Sequence, residues 1–181
     1  MNILLLTGST RNDGNSEQLA HLALKGLSYE TIQLKDLHIE AIEDLRHTEE
    51  GFHPVDDDYT KVLEAILRSD LLVLATPIYW YSMSGTMKNV IDRFSHAIRD
   101  TRYPNVTEHL KTLKAVVIAV GGDQPRIKGL PLIQQCQYTF DFLNIEFYSY
   151  IIGEARKPGT IHHDKLALQQ AAYLNEQLRA L

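Results

Sequence analysis

Short unbroken apolar runs alternate along this chain with longer stretches whose apolar residues recur at helical spacing. Asn2–Thr7 carries Ile3, Leu4, Leu5 and Leu6 without a polar interruption and ends at a Gly-Ser turn. It reads as a strand buried on both faces. In Asn15–Gly26, Leu19, Leu22 and Ala23 recur at roughly helical spacing and Gly26 supplies a stop signal. Tyr29–Leu34 reads as a second strand. Asp56–Asp70 holds a helical stripe of Val62, Leu63, Ile66 and Leu67, with its acidic start suited to the helix dipole. Leu71–Ala75 is a third buried strand halted by Thr76-Pro77, and Gly85–Ala97 is helical. Leu113–Val120 gives a fourth strand ending at Gly121-Gly122, then Leu130–Leu143 a helix. Ile145–Ile152 is the fifth strand and His163–Leu181 a closing helix.

Strands and helices alternating at this spacing imply parallel βαβ units with right-handed crossovers. The expectation is an α/β protein: one domain over residues 1–181, a three-layer αβα sandwich with helices on both faces of a five-stranded sheet. Ligands in such sheets sit beyond the carboxyl ends of the strands, at the switch in strand order. The loops to inspect are therefore Ser9–Asn15, Pro77–Ser84 and Gly121–Lys128, the densest clusters of Gly, Pro, hydroxyl and aromatic residues in the chain.

Composition narrows the function classes. A net charge of −5 leans away from nucleic acid or an anionic membrane as the main partner. No apolar run approaches the ~20 residues needed to span a bilayer. The single cysteine, Cys136, excludes an intrachain disulfide and reads as helix core. Met1 runs directly into the first strand, so no signal peptide is expected and a cytoplasmic protein is the default.

The first loop turns from a strand into a helix N-terminus, where unpaired N–H groups and partial positive charge make an anion site. Ser9, Thr10 and Ser16 offer hydroxyls, Asn15 an amide and Arg11 a full charge. A Gly/Ser turn capped by Asn15 or Ser16 is the plainer reading. The loop lacks the G-x-G-x-x-G spacing of dinucleotide folds and the Gly-Lys-Ser/Thr of P-loops, so a mononucleotide phosphate fits better. The second loop puts Tyr79, Trp80 and Tyr81 in a row, which alternation cannot bury on one face. They suit an oligomer interface or a flat ring system equally. In the third, Gly121 and Gly122 would let backbone approach a ligand closely.

Together these residues resemble the NAD(P)H-dependent FMN reductase and quinone reductase family, built on the flavodoxin-like fold. Gly8–Ser16 looks like the family's Gly-Ser-x-Arg-x-x-Gly-Asn-Ser/Thr phosphate loop. Pro77-Ile78-Tyr79-Trp80, then Lys88 and Ile91-Asp92-Arg93, looks like its Pro-x-Tyr-Trp…Lys…Asp-Arg signature. Gly153-Glu154 and Pro158-Gly159 are similar to its ending after the fifth strand.

The resemblance implies strand order 2-1-3-4-5 and bound FMN. Ser9, Thr10, Arg11, Asn15 and Ser16 would hold the phosphate. Pro77, Ile78, Tyr79, Trp80 and Ser82 would line the ring, which Gly121 and Gly122 approach from the other loop. It also implies NADPH or NADH as reductant, a small-molecule electron acceptor and a homodimer or homotetramer. No side chain need act as nucleophile.

Lys88 and Asp92 read as an i,i+4 pair and Arg93 as a helix anchor. Iron–sulfur flavoproteins of the superfamily carry clustered cysteines where Asp36–Asp58 has none, so no cluster is expected. His38, His47 and His53 there read as solvated loop residues, and His162-His163 as a helix start. Arg126 and Lys128 are either a steering pair for the dinucleotide's charged tail or two solvated loop charges. Two rivals stand beside the reductase: a flavodoxin-type electron carrier, and a non-enzymatic repressor-associated flavoprotein.

Overall fold

The computed structural model describes every residue, Met1–Leu181. Its centre is a five-stranded, all-parallel sheet made of β1 (Ile3–Thr7), β2 (Tyr29–Gln33), β3 (Leu71–Pro77), β4 (Lys114–Gly121) and β5 (Glu146–Glu154). The order is β2-β1-β3-β4-β5, as the resemblance implies.

The buried strands owe their unbroken apolar runs to a core on each face. Leu4 and Leu6, Leu72 and Leu74, and Ala115, Val117 and Ala119 point into one core. It is closed by α2 (Tyr59–Ile66), α3 (Gly85–Asp92), α4 (Phe94–Ala97), α5 (Val106–Leu110) and, further along, Leu130–Leu143. Ile3 and Leu5, Leu71, Val73 and Ala75, and Val116, Ile118 and Val120 point into the other. There they meet α1 (Asn15–Ala23) and the C-terminal helix Lys165–Arg179. Each fully buried Leu contributes about 1.5–3 kcal/mol, so the two cores together dominate stability. No helix is long and apolar enough to cross a membrane.

β2 and β3 flank β1, and the loop after β1 leads to α1 on one face whereas that after β3 leads to α3 on the other. The loops after β1 and β3 therefore diverge and open a crevice at the carboxyl edge of the sheet.

Several elements differ from the sequence-based expectation. Asp56–Asp58 precede α2: the Asp57 carboxylate accepts from Tyr59 N at 3.1 Å, and that of Asp58 from His38 N at 2.9 Å. Gly85–Ala97 is two helices, α3 and α4, broken at Arg93. Inside the expected third loop, Pro125 starts a helical turn, α6 (Pro125–Lys128), because its fixed φ suits the first position. It leads into α7 (Leu130–Leu143). The last helix, α8 (Lys165–Arg179), begins later than expected because Asp164 caps it, accepting from Ala167 N at 3.2 Å. His162 and His163 lie in the 3-10 turn just before it.

Cys136 is buried in α7, and burial pushes its thiol up to about 12. His38, His47 and His53 are exposed; His38 and His53 lie against Glu40 and Glu50.

Candidate functional site

The loop after β1 is shaped by contacts only small residues permit. Gly8 N donates to Ala75 O at 2.8 Å, and a Cβ on Gly8 would lie 2.7 Å from Ser84 Oγ. Ser9 is buried, and its hydroxyl accepts from Arg11 N at 3.1 Å, which curls the loop. Gly14 is the N-cap of α1, where a Cβ would meet Ser9 Oγ at 2.5 Å.

No side chain caps α1. None of the amide N–H groups from Asn12 to Ser16 finds an acceptor in the chain, and the Arg11 guanidinium, exposed at the loop's edge, has no acidic partner. Five unmet donors at the positive end of a helix beside a free cation are an anion site. The plainer reading, a turn capped by Asn15 or Ser16, is not what the chain builds.

Asn15 is placed differently from expectation. Its side-chain Nδ2 donates to Lys157 O at 2.9 Å, and Oδ1 accepts from Thr160 N and Ile161 N. The amide side chain staples the β5–α8 loop, which leaves Asn15 only its backbone N–H for an anion. Thr10 is exposed and outside the cavity described next, whereas Ser9, Arg11, Asn15 and Ser16 line it.

That cavity has a volume of about 600 Å³ and lies beyond β1, β3, β4 and β5. This is within the range of cofactor pockets. Its far end is formed by Pro77, Ile78 and Tyr79 from the β3 loop and Gly121 and Gly122 from the β4 loop. A Cβ on Gly121 would sit 3.1 Å from Ile78 Cβ, and one on Gly122 would sit 2.9 Å from Arg156 Cγ. These glycines let protein parts approach each other, as well as any ligand.

Past Tyr79 the chain makes a two-residue hairpin: Tyr79 N donates to Ser82 O at 2.9 Å and Ser82 N to Tyr79 O at 3.0 Å. Trp80 and Tyr81 at its tip have φ of 49° and 65°. Such turns favour Asn-Gly, and bulky residues there cost roughly 1–3 kcal/mol each. Trp80 is 94% exposed. Trp80 and Tyr81 border a smaller neighbouring cavity, not the large one. Ser82 is also outside the large cavity, its hydroxyl donating to Gln135 Oε1 at 3.1 Å.

A fourth loop completes the large cavity: Ala155, Arg156, Lys157 and Pro158, after β5. Arg156 Nε donates to Gly122 O at 2.8 Å, which ties this loop to the β4 loop. Sequence reasoning noted Pro158-Gly159 but not this basic pair. It too lies beyond a strand's carboxyl end, like the loops after β1, β3 and β4.

Arg126 and Lys128 are both engaged. Arg126 pairs with Glu154 at 3.4 Å and with Asp164, while Lys128 donates to Asp123 at 2.7 Å. Hydrogen bonds from Lys128 and Tyr81 hold the Asp123 carboxyl below the usual carboxylate range. Lys88 and Asp92 form their i,i+4 pair, and Arg93 is buried against Asp57.

The donor set meets the needs of a phosphate, and the far end those of a flat ring walled by Ile78, Tyr79 and glycine backbone. A mononucleotide with a planar base fits both requirements.

Comparison with known proteins bears on that fit. The family model described as NADPH-dependent FMN reductase matches residues 1–129, which include three of the four cavity loops. The chain is 46% identical over 181 residues to YwqN of Bacillus subtilis (strain 168), all of both chains being covered. That protein's name assigns it provisionally to the NAD(P)H-dependent FMN-containing oxidoreductases. A solved structure named Trp repressor binding protein, from Bacillus subtilis, superposes with a TM-score of 0.80 at 41% identity, covering 95% of this chain and 96% of that one. An FMN-dependent NADH-azoreductase from Bacillus anthracis str. Ames Ancestor, solved in complex with FMN, gives a TM-score of 0.70 over 98% and 99% of the chains. At 14% identity, that likeness is one of fold.

Proposed function

The chain belongs to the NADPH-dependent FMN reductase family, and from that premise we propose that it binds FMN in the 600 Å³ cavity and passes hydride from NADPH or NADH to a quinone-like or other small acceptor. FMN, when bound, would supply the redox chemistry of hydride transfer between a reduced nicotinamide and an acceptor. The observation that carries the reading is the run of unmet amides, Asn12 to Ser16, beside Arg11.

The residues have three tasks. Backbone N–H groups of Asn12–Ser16, the Ser16 hydroxyl and Arg11 would hold the phosphate. The Ser9 hydroxyl, spent on Arg11 N, keeps that loop curled. Pro77, Ile78 and Tyr79 would line one side of the ring and Gly121-Gly122 the other. Arg156, anchored on Gly122 O, and Lys157 add positive charge to the wall. Such fixed donors would favour a ring that gains negative charge on reduction. Tyr138 and Phe142 on α7 and Tyr150 on β5 are exposed. These apolar surfaces support a homodimer or homotetramer.

The similarity to a structure named as a repressor-binding protein favours a second reading, a regulatory flavoprotein. A mobility-shift assay at physiological salt tests DNA association directly. The reductase reading is tested by mixing FMN-loaded protein with NADPH or NADH without oxygen. The expected result is bleaching of the yellow flavin absorbance and its return on adding a quinone. Absorbance unchanged with both nicotinamides would contradict the reading.

A further inference from the structure

The Tyr79–Ser82 hairpin carries two bulky residues in left-handed conformations, so something outside the turn must hold it. Its stem is anchored to α7 through Ser82 and Gln135. Its tip is anchored to a single carboxylate oxygen. Tyr81 Oη donates to Asp123 Oδ2 at 3.1 Å, and Lys128 Nζ donates to the same oxygen at 2.7 Å. Lys128 Nζ also lies 5.9 Å from the centre of the Tyr81 ring. One carboxylate thus gathers the hairpin and α6 across the loop between them.

Beneath this bridge is the smaller cavity, about 160 Å³, bordered by Trp80, Tyr81 and Lys128. It shares Ile78, Gly121, Gly122 and Asp123 with the large cavity. Trp80 takes no part in the large cavity and leaves 94% of its surface in solvent. An aromatic side chain on a strained turn, unspent on the resident ligand, is placed for one that comes and goes.

We propose that Asp123 is a positioning residue: by latching Tyr81 and Lys128 it fixes the Trp80 hairpin against which the second substrate, a planar ring, is seated. The proposal rests on the FMN oxidoreductase reading for its substrate, but not for its latch. Asp123→Asn removes the charge and keeps the shape. Tyr81→Phe removes the bridging hydroxyl and keeps the ring.

Trp80 is the only tryptophan of the chain, so its fluorescence anisotropy reports the hairpin alone. Both variants should show lower Trp80 anisotropy in the FMN-free protein. In FMN-loaded protein, KM for the nicotinamide or the quinone should rise by about two- to fivefold, the scale of one exposed charged contact. FMN affinity and kcat should move less than KM. Which KM moves tells whether the nicotinamide or the quinone is seated there. Wild-type anisotropy in both variants overturns the latch. Loosened hairpins with both KM values unchanged, or FMN affinity falling in step with KM, overturn the positioning role. If wild-type protein fails to oxidise either nicotinamide, the functional reading falls and the substrate role with it, while anisotropy still decides the latch.

Discussion

His96 shows how much one residue's surroundings set its chemistry. It is buried on α4, its ring stacked on Phe52 at 5.0 Å with the planes 11° apart. Burial, then the nearby charge of Arg93, holds its pKa below the usual imidazole value. Asp100, 3.9 Å away, pulls the other way with less effect. Because the folded pKa is the lower one, the unfolded chain binds the proton first as pH falls. The stability His96 contributes is therefore complete above about pH 6.5 and is lost as pH falls from there towards the depressed folded value. His96→Gln should flatten the fall in urea midpoint between about pH 7 and pH 5; an unchanged slope would contradict this. Single residues were unevenly legible in the sequence. Arg11, Ser9 and Ser16 line the cavity because the strand-to-helix turn that places them is local. Asn15 lines it as well, but its side chain is held by Lys157, Thr160 and Ile161, some 142 to 146 positions away. Local pattern cannot show such a contact.

At the scale of elements, the segment between β2 and α2 is clamped onto α3 and α4 by charge. Arg93 and Asp57 pair with side chains 3% and 0% exposed, and Arg93 Nη1 also donates to Glu40 O at 3.1 Å. The Arg93 guanidinium stacks 4.6 Å from the centre of the Tyr59 ring. Burial there raises the Tyr59 phenol well above its ordinary value. Asp57→Asn leaves a buried guanidinium uncompensated and should cost about 3–5 kcal/mol. The double variant Asp57→Leu/Arg93→Met should be less destabilised than Asp57→Asn, because two apolar groups need no compensation. Thermal or urea unfolding checks both, and a loss under about 1 kcal/mol for Asp57→Asn would rule out the clamp. The sequence suggested Arg93 as an anchor but named no partner, since Asp57 lies 36 residues away. The long apolar elements were the legible ones, because burial on both faces leaves an unbroken run. Short pieces such as α5 and α6 carry too few turns to show a period.

For the whole molecule, the fold places four loops at one edge of a parallel sheet and concentrates Arg11, Arg156 and Lys157 there, on a chain whose net charge is −5. Asp13 and Asp123 line the same cavity and offset part of this charge, so the positive excess there is small and anionic ligands are favoured by where Arg11 and the loop amides point rather than by total charge. The architecture was readable because β1, β3 and β4 have cores on both faces. The fourth loop lies beyond a strand's carboxyl end too, but its approach to the phosphate loop was not readable, because that contact is made through Asn15 and Lys157, 142 positions apart. On the function proposed above, the Gly8–Ser16 loop holds a flavin's phosphate. The most direct test is calorimetric titration of the flavin-free protein with FMN and with riboflavin, which differ only by that group. Several charge-assisted hydrogen bonds to the phosphate should make FMN at least about 100-fold tighter. Arg11→Ala should narrow the gap without weakening riboflavin. Equal affinities for FMN and riboflavin would contradict the account.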